Sequence, residues 1–150
     1  MITVYEMQYT SNIVQSDMKL IPFNDKFYDM YKSIYNECFY EMREALNVKP
    51  YNFYHSIEQL KDKQANILLL MKDNDMVGSV ACIGNEIDDL IVNKKYQRQG
   101  YGEKLLLFAI SNIQKQNIKP ITLHVTKWNK NAVRLYKKCG FECIHVEEII

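Results

Sequence analysis

Apolar residues in the middle of the chain fall in three short runs with the spacing of buried β-strands. These runs cover residues 67–71, 76–83 and 86–92, and turn-forming residues separate them. The dipeptide Gly84-Asn85 between the second and third runs is typical of a two-residue hairpin turn. The pattern therefore predicts three consecutive strands that form an antiparallel meander.

Three longer segments repeat apolar residues at helical spacing. They cover residues 27–45, 100–116 and 129–139, and in each the apolar positions share one face. Asn129 is a natural N-cap for the third segment, and Gly140 is a natural residue just beyond its C-terminus. We expect a helix in each segment.

Shorter signals complete the pattern. Ser56 and Gln59 have the spacing of a capping box, which predicts a short helix that ends at about Asp62. Further strands are predicted where short apolar or β-rich runs are bounded by turn residues. These runs are residues 2–9, 18–23, 121–125 and 141–146.

Length and charge limit the class of protein. A chain of 150 residues with 47% apolar content is typical of one domain with a substantial core. Lys and Arg total 19 against 18 for Asp and Glu, so there is no basic excess that would indicate a nucleic-acid partner. No window approaches the roughly 20 apolar residues that span a bilayer, and residues 1–6 lack the charge pattern of a signal peptide. We expect a cytoplasmic protein with no membrane partner.

The cysteine spacing argues against a disulfide framework or a metal site. None of the four cysteines forms a CxxC pair with another, and we expect them to be reduced and mostly buried, with no metal bound. They are Cys38, Cys82, Cys139 and Cys143.

The segment between the third meander strand and the second long helix has the features of an anion site. Its sequence over residues 97–102 is Gln-Arg-Gln-Gly-Tyr-Gly. The first N–H groups of a helix lack partners within it and lie at the positive end of its dipole. Gly100 and Gly102 allow a tight turn and a close approach of backbone to ligand. The segment is therefore either a cradle for a pyrophosphate or a plain strand-to-helix turn.

Two familiar nucleotide motifs do not fit this segment. A Rossmann turn requires a third glycine where Leu105 stands, and a P-loop requires a lysine where Glu103 stands. Cationic side chains around the turn nevertheless favour a polyanion, since they would add mobile charges to the backbone donors. They are Lys94, Lys95, Arg98 and Lys104.

Three segments, in the correct order, resemble the GNAT superfamily of N-acetyltransferases. Gln97-x-x-Gly100-x-Gly102 matches that family's acetyl-CoA signature. Residues 86–92 before it resemble the family's fourth strand, and residues 129–141 resemble its closing strand-helix-strand segment. The resemblance covers about residues 67–147.

The resemblance implies an α+β, GNAT-like fold. It consists of a central twisted, mixed but mostly antiparallel β-sheet of about six or seven strands, flanked by about four helices and splayed between the family's fourth and fifth strands. A single acetyltransferase domain would span residues 1–150. Its acceptor-side segment would be about residues 20–62, and its acetyl-CoA-binding core about residues 67–147.

The resemblance also implies acetyl-CoA as co-substrate and a set of residues that bind it. Backbone of residues 90–92 would pair with the pantetheine arm in the splayed opening, and amides of residues 98–103 would hold the pyrophosphate. The implied cofactor-binding residues are Leu90, Ile91, Val92, Gln97, Arg98, Gln99, Gly100, Tyr101, Gly102, Glu103 and Asn129.

Acetyl transfer to an amine requires a base, because an amine with a pKa of about 10.4 is protonated at neutral pH. Strand periodicity places Glu86 and Asp88 on one face, near the implied reaction centre, and either carboxylate would serve. The resemblance favours Glu86, and the alternative is that both are hydrogen-bonded or solvated. The same periodicity places Leu90 and Val92 with them and Ile87, Asp89 and Ile91 on the opposite face.

Tyr136 matches the tyrosine with which this family often protonates the departing sulfur of coenzyme A. Its alternative role is that of a core tyrosine. We therefore predict transfer of an acetyl group to a primary amine of a small-molecule or peptide acceptor, directly within a ternary complex. The alternative function is that of a non-catalytic acyl-CoA-binding sensor or interaction domain with the same fold.

Overall fold

A computed structural model describes residues 1–149 as a seven-stranded sheet with three α-helices. The helices are α1 (Tyr28–Ala45), α2 (Tyr101–Gln114) and α3 (Lys130–Lys138). The strands are β1 (Ile2–Tyr9), β2 (Ile21–Pro22), β3 (Ile67–Lys72), β4 (Asp75–Ile83), β5 (Glu86–Val92), β6 (Thr122–Thr126) and β7 (Phe141–Ile149). Their order in the sheet is β2-β3-β4-β5-β6-β1-β7.

The two faces of the sheet bury separate cores. On one face, Leu106 and Ile110 of α2 pack with Val80 and Ile87 of the sheet. On the other, α1 packs an aromatic group that includes Tyr31 against the following strand residues, among them Ala81. Since Val80 and Ala81 are successive strand residues, their side chains point to opposite faces. α1 and α2 therefore cover opposite sides of the sheet.

The predicted meander is confirmed, and the strand after it opens the sheet. β3, β4 and β5 pair in order and antiparallel. β5 and β6 run parallel, but only Glu86 with Thr122 and Ile87 with Leu123 are paired between them. Beyond these two steps the strands diverge toward their C-terminal ends. The opening predicted between the fourth and fifth strands of the core lies at this point.

The N-terminal strand lies inside the sheet rather than at its edge. β1 pairs antiparallel with β6 on one side and with β7 on the other, so that Met7 faces Leu123 and Tyr9 faces Phe141. Strand pattern alone identified residues 2–9 as a strand. It carried no information about which strands would flank it, because both partners lie more than 100 residues away in the chain.

The predicted count of about four helices is too high by one for the described residues 1–149. The Ser56–Gln59 capping box is confirmed, but it starts only one 3₁₀ turn, Ile57–Leu60. Leu60 is the single buried residue of that turn, so no apolar stripe supports a longer helix. No helix among the described residues is long and apolar enough to cross a membrane.

The expected alternation of side chains along β5 is wrong beyond Asp88. A register shift between β4 and β5 places Ala81 opposite Asp88 and Ser79 opposite Ile91, so one extra β5 residue lies between these pairs. Asp89 in this bulge has a φ of 48°. Ile87 consequently packs in the α2 core and Ile91 in the α1 core, although period two assigned them to one face.

Candidate active site

The opening between β5 and β6 forms a cavity of about 510 Å³. Its walls come from α1, from the divergent ends of both strands, from the turn before α2 and from one side of α3. Gln99, Glu103 and Glu86 are not part of the lining, whereas the other sequence-predicted site residues are. These are Asp88, Leu90, Ile91, Val92, Gln97, Arg98, Gly100, Tyr101, Gly102, Asn129 and Tyr136.

The turn before α2 has the backbone of an anion cradle. Arg98 has a φ of 64° and Gly100 a φ of 85°, so two residues of the turn are left-handed. Gly100 is the N-cap of α2 and has no side chain to accept from the helix. The N–H groups of Tyr101, Gly102 and Glu103 find no acceptor among the hydrogen bonds of residues 1–149. Three donors at a helix start therefore remain free for a ligand.

The space over this turn is suited to a diphosphate. A Cβ added to Gly100 would meet nothing within 4 Å, whereas one added to Gly102 would contact Leu135 at 3.6 Å. The nearby Glu103 carboxylate lies 2.8 Å from Nζ of Lys138 on α3, so an ion pair offsets its negative charge. The residues present therefore fit the phosphate groups of coenzyme A.

One backbone group that was expected to bind pantetheine, the carbonyl of Val92, already accepts hydrogen bonds from side chains of the protein. The carbonyl oxygen of Val92 accepts a hydrogen bond from Nε2 of Gln97 at 2.9 Å and another from Sγ of Cys38 at 3.2 Å. Gln97, the first residue of the signature, thus stabilises the C-terminal end of β5 through a hydrogen bond to its backbone. Leu90 and Ile91 lie beyond the last step that pairs β5 with β6.

Asn129 combines a structural role with a place in the cavity wall. Its Oδ1 accepts from the N–H of Ala132 at 3.2 Å, which confirms the predicted N-cap of α3. Asn131 and Ala132 also line the cavity, and neither was identified from the sequence. Their positions in the first turn of α3, directly after the predicted cofactor-binding residue Asn129, would have indicated them.

Tyr136 is a buried phenol at the cavity wall. The residue is 9% exposed, and its ring packs edge-on against Phe141 at 6.1 Å. Its hydroxyl forms no hydrogen bond with the residues that the structure describes. Burial, followed by the charges of Asp88 and Asp89, raises the pKa of Tyr136 to about 12. The phenol therefore stays protonated at neutral pH and is free to donate.

His124 lies where β5 and β6 begin to diverge, and it is not among the site residues predicted from the sequence. The residue lines the cavity, and its Nδ1 lies 3.3 Å from Oε1 of Glu86. Both side chains are partly exposed, at 44% and 41%. The pairing of Glu86 with Thr122 brings these residues together. Only the register of a parallel pair of strands would have revealed this contact.

The two aspartates of β5 share a lysine from the segment before β3. Nζ of Lys63 lies 2.8 Å from Oδ2 of Asp89 and 3.3 Å from Oδ2 of Asp88. Burial and the charge of Asp88 raise the pKa of Asp89, although Lys63 and the Tyr35 hydroxyl at 3.4 Å oppose the shift. Burial opposes the charge on Lys63, but Asp89 outweighs it and raises the lysine pKa. Both carboxylates are thus engaged in an internal ion pair.

Comparison with known proteins shows the family of this chain. The model of the acetyltransferase (GNAT) family matches residues 27–141, and the chain belongs to that family of acyltransferases, which use acetyl-CoA. A ribosomal protein bS18-alanine N-acetyltransferase from Haemophilus ducreyi is 26% identical over 114 residues, which are 73% of this chain and 77% of that protein.

Solved structures agree with the fold. The PaiA N-acetyltransferase of Thermoplasma acidophilum, in complex with coenzyme A, has a TM-score of 0.69 at 18% identity, over 83% of this chain and 89% of that one. A GNAT-family acetyltransferase from Colwellia psychrerythraea has a TM-score of 0.70 at 12% identity. That match covers 97% of this chain but 55% of the other, so this chain spans about half its length.

The described part of the chain has no candidate site for a metal ion. Among residues 1–149, no group of three or more His, Cys, Asp or Glu side chains is arranged to hold a metal ion. The four cysteines are free thiols.

Proposed function

We propose that this protein transfers the acetyl group of acetyl-CoA to a primary amine, directly within a ternary complex. One observation carries the proposal: a turn with free backbone donors, a histidine that contacts a carboxylate, and a protonated buried phenol all border one cavity. The first is suited to a diphosphate, and the other two supply the base and the acid that aminolysis of a thioester requires.

The turn before α2 and the end of β5 would hold the co-substrate. The N–H groups of Tyr101, Gly102 and Glu103 would donate to its phosphates, and the Arg98 side chain would add a positive charge. The backbone of Leu90 and Ile91, which lies beyond the last residues paired between β5 and β6, would hydrogen-bond to the pantetheine arm of the co-substrate. Acetyl-CoA supplies the acetyl thioester and the leaving thiol.

His124 would act as the general base, with Glu86 as its positioning residue. Imidazole is the side chain that most often serves in this role near neutral pH. The Glu86 carboxylate at Nδ1 favours the tautomer in which Nε2 accepts a proton. This proposal changes the role predicted for Glu86, from the base itself to the group that orients it. Asp88 is the weaker candidate because Lys63 already pairs with it.

Tyr136 would assist the departing sulfur. As the new C–N bond forms and the C–S bond breaks, negative charge develops on sulfur, and a phenol that is protonated at neutral pH donates a hydrogen bond to it. The proton lost by the amine passes to His124. The departing thiolate takes the proton of the Tyr136 hydroxyl, and the phenol regains a proton from solvent as His124 releases the one it took from the amine.

A peptide N-terminus is the acceptor that we test first. The relative from Haemophilus ducreyi is named for acetylation of an alanine of a ribosomal protein. Glu86 and Asp88, which lie where β5 and β6 begin to diverge, would attract an ammonium group before it loses its proton. Small amines and lysine side chains present the same charge and form the comparison set.

The test combines acetyl-CoA with three acceptors and follows both released thiol and acceptor mass. The acceptors are a peptide with a free N-terminal alanine, the same peptide blocked at the N-terminus but with an internal lysine, and spermidine. Turnover with at least one acceptor supports the proposal, and the preferred one identifies the class. Binding of coenzyme A by calorimetry without any turnover would instead support the non-catalytic sensor.

A further inference from the structure

A second cavity lies at the opposite end of α2 from the candidate active site. Its volume is about 920 Å³, within the range of small-molecule sites. The last turn of α2, the loop from α2 to β6, the end of β1 and the segment just after β1 form its walls. α2 has 14 residues, so its length of about 21 Å separates this cavity from the phosphate turn.

Side chains hold the outer wall of this cavity in place. Gln114 of α2 accepts from the N–H of Val14 at 2.9 Å and donates to the carbonyl of Asn12 at 3.3 Å. The hydroxyl of Tyr9 donates to the same carbonyl at 2.7 Å. Residues 11–15 are thus fixed to both α2 and β1, and the cavity beneath them is a built feature of the fold.

The wall contains one buried polar group without a partner. Ser111 is 2% exposed, and its hydroxyl makes no hydrogen bond with the residues that the structure describes. Buried polar groups nearly always have a partner. Since Ser111 lines the cavity, a polar group of a ligand within it would supply that partner.

Charge and exposed apolar surface indicate the chemistry of such a ligand. Lys115 and Lys119 line the cavity, whereas no aspartate or glutamate belongs to its lining. Ile13 at its rim is 80% exposed, and Val14 and Ile118 extend the apolar surface. An anionic group would meet the lysines, and an apolar body would cover the isoleucine.

We propose that this cavity is a second binding site, for a small amphipathic anion that carries a carboxylate on an apolar body. The carboxylate lies near Lys115 and Lys119 and accepts from Ser111, and the apolar body lies against Ile13 and Ile118. The site does not depend on acetyl transfer, because none of its residues belongs to the lining of the cleft between β5 and β6.

The experiment uses 4-phenylbutyrate as the probe and 4-phenylbutanamide, its neutral counterpart, as the comparison. Both are titrated into the ¹⁵N-labelled protein, and amide shifts of residues 11–15 and 111–121 are followed. We expect saturable shifts with the carboxylate and binding at least tenfold weaker with the amide. Equal binding of the two compounds, or shifts that do not saturate, would overturn the proposal.

Lysine variants test whether the probe binds in this cavity. The double variant Lys115→Met/Lys119→Met should lose about tenfold in affinity for 4-phenylbutyrate, as expected when a charge-assisted contact is removed. Lys137→Met on α3 removes a lysine that lines neither cavity and should leave the affinity unchanged. Unaltered coenzyme A binding shows that both variants are folded. Equal affinity in the double variant would exclude these lysines and with them the proposed site.

Discussion

Nδ1 of His124 on β6 lies 3.3 Å from Oε1 of Glu86 on β5, across a sequence separation of 38 residues. The contact is formed beside the two paired steps that join these strands, immediately before they diverge. The same register that opens the sheet therefore also brings the proposed base and its carboxylate partner to the point where the opening begins.

Replacing His124 tests its role as base. We expect His124→Ala to lower kcat by about 10² to 10³, within the usual contribution of general base catalysis. Glu86→Gln should lower it by about tenfold, because the imidazole keeps its position only in part. Coenzyme A affinity, measured by calorimetry, should not change. His145→Ala removes an exposed histidine of β7 and is the matched control. Normal kcat in His124→Ala would return the role of base to Asp88 or to Glu86 itself.

Tyr136→Phe tests the proposed proton donor. Loss of the hydroxyl should reduce kcat by about 10² to 10⁴ with little change in coenzyme A affinity. The buried ring and its contact with Phe141 are retained in phenylalanine, so the melting temperature should hold. The comparison is Tyr40→Phe, on α1 and outside the cavity lining. A variant with unchanged kcat would leave Tyr136 with a packing role alone.

Two glycines permit a matched test of the phosphate turn. Gly100 and Gly84 both have positive φ, at 85° and 60°, and an added Cβ at either would meet no atom within 4 Å. Alanine at either position should therefore destabilise the fold by about 1 to 2 kcal/mol. Only Gly100→Ala should also weaken coenzyme A binding, by about tenfold, because its Cβ would enter the space over the turn. Equal affinities in the two variants would argue against a phosphate at this turn.

Lys63→Met removes the cation that pairs with Asp88 and Asp89, and it should destabilise the folded protein. The variant leaves Asp89 buried beside Asp88 with no cation, which raises the Asp89 pKa further. We expect a loss of about 1 to 3 kcal/mol at pH 7.

The pH dependence of that variant has a defined sign. Folded Asp89 binds a proton at pH values where the unfolded chain has released it. Stability therefore falls as pH rises from the ordinary aspartate pKa toward the raised one. Urea unfolding should show that Lys63→Met regains part of its stability between pH 7 and pH 5, more than the parent protein does. Lys95→Met, which breaks an exposed pair with Asp75, is the control. A loss that is independent of pH would mean that Lys63 acts through packing.

Periodicity and local signals predicted much of this fold because they act over short stretches of chain. The meander, the three long helices and the caps at Ser56 and Asn129 each depend on residues within a turn or two of one another. The bulge at Asp89 depends on pairing with β4, so strict alternation assigned Ile91 to the wrong face.

The residues of the candidate site likewise fall into two groups: those with a local sequence signal and those identified only through contacts between distant segments. The signature glycines are close in sequence and could be interpreted directly. His124 could not be predicted from the sequence, because its carboxylate partner is identified only through the register of β5 and β6. Glu86 was found as a carboxylate near the opening, but its contact with imidazole depends on the same register. Lys63 was overlooked for a similar reason, since it reaches β5 from the segment before β3.

The place of β1 between β6 and β7 has a consequence for assembly during synthesis. Tyr9 pairs with Phe141, so β1 leaves the ribosome well before β6 and β7, the two strands that flank it. Until then its two edges are open to other chains, and the polar main-chain groups along them have only water as partner. A stall late in translation would therefore release a chain whose β1 is exposed and ready to aggregate, whereas the β3–β5 meander is already complete.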